Sequence, residues 1–134
     1  MKEFLWPVRV YYEDTDSGGV VYYANYLKFM ERARTEWLRS LGFEQDELRE
    51  KEGVLFAVRK VGVEFRSPAR FNDALQVSVQ LISRGKASLV FRQEIRSAAD
   101  GRLLCDGEVK IACIDAASFR PAPIPHALLS VVSE

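Results

Sequence analysis

The period of the hydrophobic positions changes early in the chain. Apolar and polar side chains alternate from Val8 to Glu13, and a two-residue period predicts a strand with one buried face. We expect Pro7 to mark its beginning. From about Ala24 apolar residues recur every three or four positions, which predicts one amphipathic helix of roughly seventeen residues that ends near Gly42. A shorter polar helix is predicted over residues 45–51.

Beyond Gly53 the pattern is that of strands. Apolar residues again alternate with polar ones, as expected for antiparallel strands with one wet face. Four runs are separated by turn signals, namely Ser67-Pro68, Asn72-Asp73, Arg84-Gly85 and Asp100-Gly101. The order of elements predicts an α+β domain in which a curved antiparallel sheet of about five strands packs around one long helix.

The first strand after Gly53 is apolar on both sides. Simple alternation assigns one set of side chains to one face and a second set to the other face. The first set is Leu55, Ala57, Val61, Val63 and Phe65, and the second is Val54, Phe56 and Val58. Burial of both faces in a small domain indicates a subunit interface.

Composition narrows the classes of function. A chain of 134 residues with 48% hydrophobic content fits one domain, 1–134. Nineteen basic and nineteen acidic residues cancel, so a nucleic acid or an anionic membrane is not the expected partner. No apolar run has transmembrane length, and the first ten residues do not resemble a signal peptide. Cys105 and Cys113, eight positions apart in one predicted strand, are too distant for a disulfide, and free thiols favour a cytoplasmic location.

The candidate chemistry lies in the segment from residue 12 to residue 26, YEDTDSGGVVYYANY. Asp14 and Asp16 stand beside the Gly18-Gly19 turn, between the first strand and the long helix. A carboxylate next to unpaired N–H groups at a helix start can attack a carbonyl and hold its oxyanion. We expect Asp14 to cap the turn through backbone hydrogen bonds and Asp16 to be the reactive carboxylate.

Other residues of the chain are weaker candidates for a metal site or for catalysis. A calcium loop would need an acid or amide where Gly18 stands and a glutamate where Asn25 stands. The two cysteines have apolar neighbours and are expected in the core. His126 follows a proline-rich stretch and is interpreted as a surface residue. Glu31, on the long helix, is kept as an alternative catalytic carboxylate.

The motif Asp14-x-Asp16-x-Gly18-Gly19-Val20-Val21-Tyr22-Tyr23-x-Asn25-Tyr26, followed by Glu31-Arg32-Ala33-Arg34, resembles the hotdog-fold acyl-CoA thioesterases. The segments Val58-Arg59-Lys60 and Ser67-Pro68-Ala69-Arg70 extend the likeness. It is strongest to the branch that contains 4-hydroxybenzoyl-CoA thioesterase and the Tol-Pal-associated acyl-CoA thioesterases.

The resemblance implies hydrolysis of short-chain or aromatic acyl-CoA thioesters to free acid and coenzyme A, without a metal or other cofactor. It implies that Asp16 acts as nucleophile or as general base, and both roles stay open. It also implies that the backbone N–H of Tyr23 polarises the thioester carbonyl. The Tol-Pal-associated enzymes usually have histidine at the position of Tyr23, so a histidine-assisted mechanism is not expected.

The resemblance further implies substrate contacts and an assembly. Arg84 and Lys86, which flank a glycine in a predicted hairpin, are expected to bind the phosphates of coenzyme A, with Arg70 as a weaker candidate. Active sites of this family form between subunits, so a homodimer or a dimer of dimers, that is a homotetramer, is expected. The alternative functions are a non-catalytic hotdog module that binds acyl-CoA or a protein, and a hotdog dehydratase or hydratase, which would need a histidine that this chain lacks.

Overall fold

The computed structural model describes residues 3–132. Its elements follow the chain in the predicted order, with one long helix early and four consecutive strands late. They are β1 (Phe4–Arg9), a 3-10 turn (Tyr12–Asp14), α1 (Tyr23–Ser40), α2 (Gln45–Glu52), β2 (Val54–Phe65), β3 (Ala74–Arg84), β4 (Ser88–Ser97), β5 (Leu103–Asp115) and α3 (His126–Leu129). The predicted α+β class, with five strands and one long helix, is confirmed.

The long helix α1 forms where the three- to four-residue period predicted it. One stripe is buried and consists of Tyr26, Phe29, Met30, Ala33, Trp37 and Leu38. The helix ends because Gly42 adopts a left-handed conformation (φ 94°) and donates its N–H to the carbonyl of Arg39 at 2.9 Å. Glycine adopts this conformation without steric cost. The buried stripe packs chiefly on β3 and β1.

The five strands form one antiparallel sheet in the order β1-β3-β4-β5-β2. The predicted boundaries of the first strand were wrong. The strand covers Phe4–Arg9, and Pro7 lies inside it opposite Gln76. Because β1 is an edge strand, the missing N–H of a proline is tolerated there. Tyr12, expected in the strand, belongs to the 3-10 turn.

The predicted phase of β2 was also wrong. The register against β5 shifts between Val58 and Lys60, so Arg59 forms a bulge that inserts one residue into the alternation. Phe56 and Val58 therefore lie on the same face as Val61, Val63 and Phe65, opposite the helix-facing residues of β5. The apolar residues from Phe56 to Phe65 thus share one face, whereas Leu55 and Ala57 lie on the other. Simple alternation could not show this.

Ion pairs between two arginines and one aspartate lie at the end of β2. The N–H of Arg66 donates to the carbonyl of Leu104 at 2.8 Å, and its guanidinium Nε lies 2.5 Å from Oδ1 of Asp106. Arg92 approaches the other oxygen of Asp106 at 2.5 Å. The Arg66 hydrogen bond, with a smaller contribution from Arg92, lowers the pKa of Asp106. Phe65, the last residue of β2, precedes this cluster and contacts Tyr23 and Tyr26 in the first turn of α1.

No helix within residues 3–132 is long and apolar enough to cross a membrane. Cys105 and Cys113 are both buried on β5 as free thiols, which confirms their predicted place in the core.

The Gly107→Ala substitution is expected to destabilise the fold. A Cβ at Gly107 would lie 2.2 Å from the carbonyl oxygen of Gly62 and 3.0 Å from Cα of Val63, so β2 and β5 would have to move apart. We expect a loss of about 1–3 kcal/mol in the free energy of unfolding, as for overpacked sites. Urea unfolding measures it. Gly62→Ala is the matched control because its Cβ meets nothing within 4 Å, and equal losses would contradict the prediction.

The Tyr26→Phe substitution tests how α1 is attached to the loop before β3. The Tyr26 hydroxyl accepts the N–H of Ala69 at 3.0 Å, and both residues are buried. Removing the hydroxyl leaves a buried donor without an acceptor, so we expect a loss of about 1–3 kcal/mol in unfolding free energy. Tyr12→Phe, at an exposed ring, should change stability by less than about 0.5 kcal/mol. A neutral Tyr26→Phe variant would contradict this account.

Candidate active site

Asp14 shapes the loop that leads into α1. Its Oδ2 accepts the N–H of Tyr11 at 2.8 Å, and the side chain is buried. Its carbonyl accepts the N–H of Tyr22 at 2.9 Å and Nδ2 of Asn25 at 2.8 Å. The predicted turn-capping role of Asp14 is therefore confirmed. These contacts fix the backbone of the loop and the side chain of Asn25.

Asp16 lies at the exposed tip of the same loop. Its backbone N–H donates to Val20 at 2.9 Å, and its carbonyl accepts the N–H of Gly19 at 3.0 Å, which closes a tight turn. Gly19 has a φ of 80°, a conformation that suits glycine. The carboxylate accepts the N–H of Gly18 through Oδ1 at 2.8 Å. Its Oδ2 has no hydrogen bond to any residue between 3 and 132, so one oxygen is oriented by the turn and the other faces solvent.

The first turn of α1 has no capping side chain. Tyr22, the residue before the helix, is extended and makes no side-chain cap, and no acidic residue stands in the first turn. Within the described residues, the N–H of Tyr23 has no backbone acceptor. The helix dipole adds partial positive charge at this end. The result is an exposed donor site that suits an anionic or polarised oxygen.

Aromatic rings surround this donor site. Tyr23 contacts Tyr22 at 4.9 Å and Phe65 at 6.0 Å between ring centroids, and Tyr26 lies 5.7 Å from Phe65. The Tyr23 hydroxyl, more than any other group, raises the pKa of Tyr22, and the charge of Asp16 adds to the effect. The carboxylate therefore lies near this tyrosine pair. Phe65 was missed in the sequence because it lies forty-two residues after Tyr23 and meets it only through the sheet.

Arg70 lies beside the candidate site. The loop before β3 pairs with the Asp16 loop, because Val20 forms a β-bridge with Arg70 and Val21 donates its N–H to Ala69 at 2.8 Å. The N–H of Arg70 donates to the side chain of Asp73 at 2.8 Å. Arg70 is an exposed residue. Arg70 is thus a cation at the same end of the sheet as Asp16.

Arg84 and Lys86 lie at the other end of the sheet. The Asp16 loop is tied to the beginning of β3, and Arg84 is the last of its eleven residues, about 33 Å farther along an extended strand. The hairpin borders a groove lined also by His126, Leu129 and Ser130, and Nη1 of Arg84 donates to the carbonyl of Leu129 at 2.8 Å. One chain therefore does not bring Arg84 or Lys86 to Asp16.

The remaining candidates lie away from Asp16. Glu31 is eight residues along α1 from Tyr23, about 12 Å at the helical rise. His126 is exposed at the start of α3. Burial raises the pKa of Cys105 to about 12 and also raises the pKa of Cys113. Both thiols are protonated at neutral pH and are poor nucleophiles.

Known proteins resemble this chain over nearly its whole length. The acyl-CoA thioester hydrolase YbgC of Escherichia coli O6:H1 is 47% identical over 127 residues, which cover 95% of this chain and 93% of the relative. The acyl-CoA thioesterase YbgC of Haemophilus influenzae is 42% identical over 91% of this chain and 88% of the relative.

Solved structures share the fold. A probable thioesterase from Bartonella henselae superposes with a TM-score of 0.88 at 33% identity, over 92% of this chain and all of that one. A 1,4-dihydroxy-2-naphthoyl-CoA thioesterase from Synechocystis superposes with a TM-score of 0.89 over 96% and 94% of the two chains, and at 24% identity it supports the fold alone. The predicted hotdog architecture is confirmed.

The family model described as the Thioesterase-like superfamily matches residues 10–132, which include both edges of the Asp16 loop and the whole of α1. Together with relatives of such identity and coverage, this match shows that the chain belongs to the Thioesterase-like superfamily.

Proposed function

We propose that the protein hydrolyses acyl-CoA thioesters to a free acid and coenzyme A. The observation that carries the proposal is the pairing of an exposed, turn-held carboxylate at Asp16 with the uncapped start of α1 at Tyr23. A thioester carbonyl needs a nucleophile on carbon and a donor on oxygen. The names of the relatives, acyl-CoA thioester hydrolase and acyl-CoA thioesterase, support the same chemistry.

We propose a distinct role for each of the two groups. The N–H of Tyr23 binds the carbonyl oxygen and stabilises the negative charge that develops on it. The free Oδ2 of Asp16 either attacks the carbonyl carbon, to form an anhydride that water then cleaves, or takes a proton from an attacking water. In both routes the C–S bond breaks, and the thiolate of coenzyme A leaves and is protonated. Gly18 holds Oδ1 at 2.8 Å and so orients the carboxylate.

The acyl group is proposed to be short or aromatic. Exposed rings of Tyr22 and Tyr23, with Phe65 beside them, offer flat apolar surface next to the donor site. Aromatic side chains stack on planar groups with a modest gain in energy. The same surface accepts a short aliphatic chain.

The active assembly is proposed to be a homodimer, or two such dimers in a homotetramer. The outer edge of β2 is twelve residues long and carries exposed Val58, Val61 and Phe65. A long apolar edge strand favours pairing with a second copy. In such a pair, Arg84 and Lys86 of one chain reach the phosphates of coenzyme A bound at the site of another, and Arg70 approaches from within the same chain. We also propose that residues 1–134 act as one domain in the cytoplasm, where two free thiols stay reduced.

A second candidate is a non-catalytic module that binds acyl-CoA or a protein. The feature that favours it is Tyr23, because the resemblance described above implies histidine at this position in most Tol-Pal-associated enzymes. His126, the one histidine of the chain, lies in α3 and does not replace it. Turnover assays separate the two functions.

The Asp16→Asn substitution is expected to abolish hydrolysis. It removes the charge required for attack or for proton transfer, so we expect kcat to fall by at least about a hundredfold. Release of the free thiol, followed with a thiol-reactive dye over a panel of acyl-CoAs, measures kcat.

Asp14→Asn is the matched control. The amide oxygen of the new asparagine still accepts the Tyr11 N–H, so kcat should fall by less than about tenfold. An active Asp16→Asn variant would move the catalytic role to Glu31, and a folded wild type without turnover would favour the binding module.

The Lys86→Ala substitution tests the phosphate contact. A lost charge-assisted contact is worth about 1.5–3 kcal/mol, so we expect KM for acyl-CoA to rise by roughly tenfold or more with kcat nearly unchanged. Steady-state kinetics measure both. Arg102→Ala removes the same charge from the hairpin at the other end of the sheet and should leave KM unchanged. An unaltered KM in Lys86→Ala would contradict the contact.

A further inference from the structure

A groove lies where the C-terminal tail crosses the β3–β4 hairpin. Its volume is about 570 Å³. Six residues line it, namely Arg84, Gly85, Lys86, His126, Leu129 and Ser130. Three of these side chains are basic and none is acidic. Because acidic and basic residues balance over the whole chain, a wall with three basic side chains and no carboxylate is a local region of positive potential. The groove therefore suits an anion.

The tail is attached to the hairpin on both sides of His126. The N–H of Ile124 donates to the carbonyl of Lys86 at 2.8 Å, and Ile124 itself is buried. Beyond the histidine, Nη1 of Arg84 donates to the carbonyl of Leu129 at 2.8 Å. These contacts fix the tail before and after His126, and so they hold this residue beside the hairpin, forty positions away from Lys86 in the sequence.

The side chains of Lys86 and His126 are available to a ligand. Both residues are exposed, and neither forms an ion pair with any residue between 3 and 132. Gly85, beside Lys86, has no side chain that could fill the groove. A lysine ammonium group presents three N–H donors, and an imidazole donates an N–H in its neutral and in its charged form. The two side chains can therefore donate to the same bound anion.

We propose that His126 and Lys86 together bind the 3′-phosphate of coenzyme A, and that this contact makes the protein prefer coenzyme A thioesters to thioesters without that group. The inference rests on the proposed function, in which the hairpin of one copy reaches the coenzyme A bound at the site of another. His126 acts here as a binding residue and takes no part in bond cleavage.

The charge of the ligand favours the 3′-phosphate over the diphosphate of the same molecule. A phosphate monoester carries about 1.5–2 negative charges at neutral pH, whereas each phosphate inside a diphosphate bridge carries a single charge. Hydrogen bonds to an ionised acceptor strengthen with its charge. A groove with several basic side chains and no carboxylate in its lining therefore gains most from the monoester.

The test compares kcat/KM for hexanoyl-CoA with kcat/KM for hexanoyl-dephospho-CoA, which lacks only the 3′-phosphate. Wild type should prefer hexanoyl-CoA by about tenfold or more, as expected for charge-assisted hydrogen bonds. The His126→Ala substitution should reduce this preference at least about fivefold. The reduction should come from a higher KM for hexanoyl-CoA, while kcat and the KM for hexanoyl-dephospho-CoA stay nearly unchanged.

Three further variants sharpen the comparison. The His126→Lys substitution restores a cation at the same position and should keep the wild-type preference. The Val131→Ala substitution changes an exposed tail residue outside the groove lining and should keep it too. The Lys86→Ala substitution should reduce the preference as His126→Ala does, because both residues bind the same phosphate.

Equal kcat/KM on the two substrates in wild type, or a preference that His126→Ala retains, would overturn the proposal and leave hydrolysis intact. A higher KM for both substrates in His126→Ala would assign the imidazole to the diphosphate, which both contain, and would also overturn it. If wild type shows no turnover, calorimetric binding of coenzyme A and dephospho-coenzyme A separates the two proposals. A preference in affinity that His126→Ala removes would support the phosphate site without hydrolysis, and absence of binding would contradict both.

Discussion

The start of α1 is fixed in place without a capping side chain, and the candidate site depends on this. A helix start normally satisfies its free N–H groups with a side chain from the preceding residue. Here the fixation comes from outside the first turn, through the carbonyl of Asp14, which accepts from Tyr22 and Asn25, and through the buried Tyr26–Ala69 hydrogen bond. The N–H of Tyr23 is left without a backbone acceptor among residues 3–132. The same contacts therefore fix the helix and leave a donor at its start for a substrate oxygen.

The two aspartates of the loop have different roles, one structural and one proposed to be catalytic, for a physical reason. Asp14 is buried; its Oδ2 accepts the N–H of Tyr11, and its backbone carbonyl accepts Tyr22 and Asn25. Asp16 is exposed, and only one of its carboxylate oxygens is held by the turn. A buried carboxylate is shielded from a substrate, whereas a carboxylate that reacts has to stay accessible. Asp14 and Asp16 are only two positions apart, and the tight turn between them is enough to separate their roles.

The same helix has a polar connection to the sheet in its middle. Gln93 occupies a core position on β4 and bridges Met30, Ser78 and Arg34. A buried amide is tolerated because all of these contacts satisfy it. The bulge at Arg59 then turns the apolar residues of β2 toward the helix. The buried stripe of the helix packs chiefly on β3, and Tyr23 at its start contacts Phe65 of β2.

The sequence by itself determined the elements of this protein and the place of its candidate chemistry. The helical period, the glycine stop at Gly42 and the Asp14–Gly19 turn depend on local physical rules, and the structure has each of them where the sequence predicts it. The strand boundaries and the faces of β2 were wrong, because Pro7 is tolerated only at a sheet edge and the bulge at Arg59 forms only against β5. The tertiary structure alone decided that Phe65 meets Tyr23, that Arg84 and Lys86 lie far from Asp16 in the same chain, and that Gln93 fixes Arg34. These are contacts or distances between residues remote in sequence, and they exist only after the sheet has chosen its strand order and curvature.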